Sequence, residues 1–275
     1  MMGVTLVVSC YLVAFAHKMV RCRTEVEMGV STSTKIMLAQ RSGNRCAFPD
    51  CRRPLSEDGK KAKDRILGEV AHIHGQKPGS ARYREDMTDK ERDCYDNLIY
   101  LCPTCHSKID KQPEDYPAEV LFRIKREHEE WVNNRLSDEM VSVTFTELDV
   151  AARAIISGKH SSGADDFSVI PIDEKIRKNE LSDSVRSDIA SGLAKSEEVE
   201  RFLSKMATDI DDGFPERLKT GFRDKYLELK QTSHGDELFH ALLRFAQQGN
   251  HEFVYQAACL AILSYLFHIC EVFEK

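Results

Sequence analysis

The chain has 275 residues, 41% hydrophobic and 31% charged, with 14 glycines and 8 prolines. That length and composition exclude a disordered low-complexity chain and a collagen-like repeat, and they leave room for one large domain or two ordinary ones. The net charge of −6 gives the whole molecule no bulk attraction for nucleic acid or anionic membrane, so any basic surface must be local. The middle of the chain is slightly basic and the C-terminal half clearly acidic, as expected of two units with different partners.

Residues 3–16, GVTLVVSCYLVAFA, form an apolar run of 14 residues. This is shorter than the roughly 17–25 needed to cross a bilayer, and no basic region precedes it as in a signal peptide. Residues 1–30 are therefore expected to be an upstream extension, with translation starting at Met19 or Met28, and no stable membrane span is expected. A peripheral anchor is the lesser alternative.

Residues 31–41 predict a short capped helix, followed by a knuckle at 45–55 and a charged loop at 56–65. Residues 66–73, ILGEVAHI, predict a strand entering a long loop at 75–93, and NLIYLC at 97–102 predicts a second short apolar run. Helices are predicted over 104–110 and 117–135, the latter with Val120, Leu121, Ile124, His128 and Trp131 on one face. Residues 137–166 read as a linker region, with a β-branched and aromatic run at 141–148, a brief helical stretch and the flexible SGKHSSGADD. After Pro171 helices are predicted over 172–181, 182–208, 214–230, 236–248 and 250–274. The last is apolar on most sides, as a buried core helix is.

Nine cysteines are an odd number for a disulfide framework. Cys46 and Cys51 form one close pair, Cys102 and Cys105 another, and together they supply the four thiolates of a closed structural zinc site. Such a site leaves no open position for catalysis, supplies folding free energy to a small module, and implies a reducing, cytoplasmic setting. Cys94 has no partner two or four residues away and reads as a spare thiol.

Between and after the cysteine pairs stand His72, Asn97 and His106. In GNRCAFPDC (43–51), GEVAHI (68–73), PGSARYREDMT (78–88), YDNLIYLCPTCHSKID (95–110) and KREHEEW (125–131), the order and spacing resemble the zinc-bearing form of the HNH endonuclease family. The resemblance runs from about residue 42 to 131 and implies a ββα-metal fold that hydrolyses DNA phosphodiester bonds. His72 would then be the general base. Asn97 would fix the hairpin or help position base or metal, and His106 would bind a catalytic Mg2+ or Mn2+. Many members carry Asp immediately before the first His, where this chain has Ala71; Glu69 and Asp110 are the candidates for the further protein ligand. Lys77, Arg82 and Arg84, in a glycine-containing loop, are candidate phosphate contacts. RNA as the substrate fits the same residues.

Residues 167–275 resemble the C-terminal domain of proteins of bacterial ABC-three-component systems. The likeness rests on the proline-containing entry at 170–178 with Asn179 and Leu181, the aromatic helix with Tyr226, and the terminal Ala-rich helix ending CEVFEK. It implies partnership with an ABC-type ATPase and a small middle component, in defence against phage or plasmids. An acidic helical bundle also fits an oligomerisation unit, and hence a homo-oligomer.

The expected architecture is thus α+β, a small zinc-stapled ββα-metal (HNH) nuclease domain at 31–136, the linker, and a mostly α-helical interaction domain at 167–275. The alternative reading is a catalytically inactive, zinc-stapled nucleic-acid-binding or scaffold protein.

Overall fold

The fold is described from a computed structural model, for residues 29–57, 65–156, 171–269 and 272–274. The apolar run at 3–16 and the SGKHSSGADD segment lie outside the described residues. Among those described, no helix is long and apolar enough to cross a membrane.

Helix α1 (Thr32–Arg41) starts where the Ser31 hydroxyl accepts the Thr34 N–H at 3.0 Å. It ends in a turn where Gly43 and Asn44 both take positive φ. A Cβ on Gly43 would lie 3.1–3.3 Å from Phe253 and Val132, so the chain squeezes between two later helices at this point. Two short strands, β1 (Ser56–Glu57) and β2 (Arg65–Ile66), pair antiparallel.

β3 (Glu69–His72) and β4 (Leu98–Leu101) form a second antiparallel pair, with Glu69 opposite Leu101 and His72 opposite Leu98. The long loop joining them holds a short helix, α2 (Asp89–Arg92), opened by a capping box between Thr88 and Glu91, and then a 3-10 turn at Tyr95–Asn97. Helix α3 (Pro103–Lys111) follows β4 directly, so strand, strand and helix sit together over a core of Leu38, Ala71, Ile73, Leu98, Ile99 and Ile109.

Helix α4 (Ala118–Met140) leads into α5 (Phe145–Ile156), which buries Leu148, Ala151, Ala152 and Ile155 in the second core. The linker expectation is corrected here. Residues 137–156 finish one helix and build another, because four apolar side chains at helical spacing outweigh the β-branched residues before them.

The rest is α6 (Ile172–Lys178), α7 (Asp183–Leu193), α8 (Ser196–Asp209), α9 (Phe214–Leu229), α10 (Gly235–Gln247) and α11 (Phe253–His268). The single helix expected at 182–208 is two. The chain turns at Ala194–Lys195, and the Ser196 hydroxyl donates to the Leu193 carbonyl at 2.8 Å. Helix α11 is the axis of the bundle, buried on nearly every side and packed by α4, α5, α7, α8 and α10. At Gly192 α7 comes so near that a Cβ would lie 2.3 Å from Ser264 Oγ. The final helix stops at His268, and Phe273 turns back with φ of 68° to pack on Tyr226, Phe239 and Phe267.

The two cores meet closely. α1 packs on α10 and α4 on α11, Arg45 donates to the His251 carbonyl at 3.2 Å, and Trp131 stands edge-on to Phe253.

Candidate functional site

Cys46 and Cys51 lie either side of a knuckle closed by the Arg45–Pro54 bridge, and Cys102 and Cys105 form the cap and first turn of α3. Their four sulfurs lie within 4.8 Å of one another, and Cys51 Sγ is 3.9 Å from Cys102 Sγ. A disulfide needs about 2.05 Å, whereas a tetrahedral centre with Zn–S bonds of about 2.3 Å sets its sulfurs about 3.8 Å apart. The four cysteines could therefore bind a metal such as zinc.

Donors surround the sulfurs: the Cys102 N–H reaches Cys46 Sγ at 3.3 Å, the Cys105 N–H reaches Cys102 Sγ at 3.4 Å, and Arg53 Nε reaches Cys51 Sγ at 3.2 Å. Burial pushes Cys46 up to about 12. Burial alone would raise Cys51 too, but hydrogen bonds from Arg53 bring it down to about 7. With a divalent ion bound, these donors would offset the negative charge that four thiolates retain. Cys94 is disulfide-bonded rather than spare, and it is not among the four.

The second cluster lies on the strand pair and α3. Glu69 and His72 stand at the two ends of β3. Glu69 reaches α3, where its Oε2 is 2.8 Å from His106 Nδ1, and Asp110 Oδ2, one turn further on, is 3.3 Å from His106 Nε2. Carboxylate oxygens only accept, and a neutral imidazole carries a single N–H. The two carboxylates meet different nitrogens of one ring, and the three side chains expected around a catalytic cation are neighbours. Among the described residues, only the four sulfurs converge as the ligand atoms of one ion do.

His72, at the end of β3, has a separate partner. Its Nε2–H donates to Asp93 Oδ1 at 2.8 Å, with 18% and 15% of the two side chains exposed. Asn97 is only 4% exposed, and its amide binds the long loop at three points. Oδ1 accepts the His74 N–H at 2.8 Å, and Nδ2 donates to the carbonyls of His74 and Arg92 at 3.0 and 2.9 Å. Of the roles expected for Asn97, fixing the hairpin is the one this geometry carries. The metal-ligand role is not, because all three bonds go to backbone.

Arg82 is corrected from phosphate contact to internal brace. Its guanidinium donates to the carbonyls of Ile73 (2.8 Å), Ile109 (2.7 Å) and Tyr116 (3.4 Å) and to Asp110 Oδ1 (3.0 Å), and its side chain is 6% exposed. Lys77 and Arg84 remain at the surface, Arg84 paired with Asp86.

Two residues without a sequence signal complete the site. Asp93 lies 21 positions from His72 in a loop without periodicity, so only the fold pairs them. Lys125 on α4 is buried, pushed down to about 8 by desolvation, and donates to the carbonyls of Tyr95 (2.6 Å) and Leu98 (2.8 Å) on either side of Asn97. His128 is packed as a structural residue, its Nε2–H donating to the Ser42 carbonyl at 3.1 Å and its ring stacked on Trp131.

A search of curated proteins gives no match to the chain. The helical C-terminal part, starting inside α5 rather than at residue 167, is similar to C-terminal domain 10 of the ABC-three component (ABC-3C) systems, whose family model matches residues 152–274.

Proposed function

We propose that the protein is a divalent-metal-dependent nuclease of the HNH kind, acting within an ABC-three-component system. The observation that carries this reading is the placement of His72 and of the Glu69–His106–Asp110 group on one strand–strand–helix unit beside a four-cysteine cluster. The C-terminal match supports the system assignment, and the ABC-type ATPase and middle component are the partners that it suggests.

His106 with one of Glu69 and Asp110 would hold the cation, which when bound supplies positive charge to the scissile phosphate and leaving oxygen, while the other carboxylate orients the ring. His72 accepts a proton from the attacking water, whose oxygen bonds phosphorus as the bond to the leaving sugar oxygen breaks. Arg82 fixes Asp110 against the loop, and Asn97 and Lys125 hold that loop in shape. Ala71 does not remove the acidic side chain that this chemistry needs. Ala71 is fully buried, and Glu69, two residues earlier on the same strand face, reaches His106 in its place.

The test is incubation of the full chain with supercoiled plasmid DNA and Mg2+ or Mn2+, with and without the partner ATPase, beside His72→Ala. Nicking by the wild type that falls about 100-fold or more in His72→Ala supports the reading. DNA binding that EDTA leaves unchanged, with no cleavage under any of these conditions, supports the scaffold alternative instead. Parallel assays on single-stranded and duplex RNA decide which nucleic acid is cut.

A further inference from the structure

We infer that Asp93 is the positioning residue of His72, holding its ring in one tautomer so that Nδ1 is the atom that takes the proton. The inference rests on the nuclease reading for its consequence, but not for its geometry.

Asp93 and His72 are brought together from opposite ends of the long loop. His72 closes β3, while Asp93 caps the C-terminal end of the α2 turn, placed there by the Thr88–Glu91 capping box. Downstream of Asp93, Asn97 ties the carbonyls of Arg92 and His74 together, so one buried amide clamps the chain next to both members of the pair. Arg92 adds a further tie, donating to the Arg84 carbonyl and to Asp89. The carboxylate is therefore delivered by a braced turn rather than by a free loop. Gln76 Nε2 also donates to Asp93 Oδ1, at 3.4 Å, and orients the acceptor.

The chemical consequence follows from donor and acceptor inventory. A carboxylate oxygen accepts only, so the nitrogen facing it must carry the hydrogen, which makes His72 the Nε2–H tautomer. Its other nitrogen, Nδ1, then presents a lone pair, and that atom makes no hydrogen bond among the described residues. A ring whose proton sits on the wrong nitrogen, or that rotates freely, meets the attacking water with the wrong atom for part of the time. The same carboxylate stabilises the imidazolium that forms once Nδ1 has taken the proton. The role matches that of carboxylates that orient a base histidine elsewhere in enzymes, where loss of the carboxylate lowers kcat by up to about 10⁴-fold.

The experiment uses the full zinc-loaded chain labelled with 15N-histidine, with His72→Ala to assign the His72 signals among the ten histidines. Nitrogen shifts report the tautomer without any need for turnover. Wild type is expected to show a single Nε2–H form, and Asp93→Ala and Asp93→Leu, which remove the acceptor, a mixture or the reverse. In cleavage assays the same variants are expected to lose kcat about 10-fold or more with KM for DNA unchanged, and Asp93→Glu to recover part of it. Circular dichroism on every variant separates a folded protein from a collapsed one, and Asp93→Leu, close in size to aspartate, keeps the test alive should the alanine variant misfold. Persistence of the wild-type tautomer in a folded Asp93→Ala or Asp93→Leu protein overturns the inference whatever the activity. A tautomer that is lost while wild type itself fails to cut leaves the positioning inference standing and sinks the nuclease reading.

Discussion

Trp131 on α4 meets Phe253 at the start of α11 edge to face, their ring centroids 5.4 Å apart, and Arg52 lies over the indole at 4.0 Å. This stack joins the cysteine-bearing unit to the helical bundle. Trp131→Ala is expected to cost about 2–3 kcal/mol, through lost apolar burial and the aromatic pair. Denaturant unfolding should show a lower midpoint, and limited proteolysis should cut first near the junction.

Metal removal should act on the fold before it acts on any reaction. One zinc per chain is expected by elemental analysis, falling to none in Cys102→Ser or Cys105→Ser. Four thiolates around zinc contribute on the order of 10 kcal/mol to the folding of small modules. A strong chelator should therefore melt the residues around α3 while the far-UV helical signal of the bundle is largely retained.

Arg82 and its neighbours should separate cleanly in solution. Arg82→Ala leaves three carbonyls and Asp110 without their donor and is expected to destabilise the fold by about 2–4 kcal/mol, read as a lower thermal midpoint. Lys77→Ala and Arg84→Ala should leave the midpoint alone. If those two side chains touch phosphate, each substitution lowers the salt dependence of nucleic-acid binding by about one ion.

Acid should unfold the protein through two buried histidines. Desolvation holds His128 down to about 4 and His240 down to about 3, against 6.5 for a free histidine. Below 6.5 the unfolded chain binds protons that the fold refuses, so their contribution is complete above pH 6.5 and is lost as pH falls through 4. Asp188 works against them. Burial raises it to about 6 from 3.8, so the fold gains stability from this group as pH falls through 6. Every tenfold change in proton affinity between fold and unfolded chain is worth about 1.4 kcal/mol. The two histidines together change more than the one carboxyl, so net stability should drop between pH 6.5 and 4. Unfolding free energies measured at steps across that window give the slope, and His240→Phe should flatten it.

Much of this fold is legible along the chain. The Ser31 cap, the apolar runs of β3 and β4 and the apolar girth of α11 announce themselves, because each is a local pattern within a short stretch of chain. The capping box Thr88–Asp89–Lys90–Glu91 is equally local, though the charged residues around it mask its pattern. What local pattern cannot convey is partnership at a distance. Arg82 reads as a surface cation in a loop with Lys77 and Arg84, and only the approach of α3 and the Tyr116 carbonyl turns it inward. The His72–Asp93 pair and the reach of Lys125 to Tyr95 and Leu98 belong to the same class. The four cysteines are the exception, since their paired spacing already announces the cluster in which the four sulfurs come within 4.8 Å of one another.

The position of Lys125 gives α4 a mechanical meaning. The helix is 23 residues long, about 35 Å, and works as a single beam beneath both parts of the molecule. Near one end its ammonium grips the chain on either side of Asn97, and further along it lies against α11. A load applied to the bundle that tilts this beam must pull on the Tyr95 and Leu98 carbonyls, so the loop that carries Asp93 feels it without any intervening hinge.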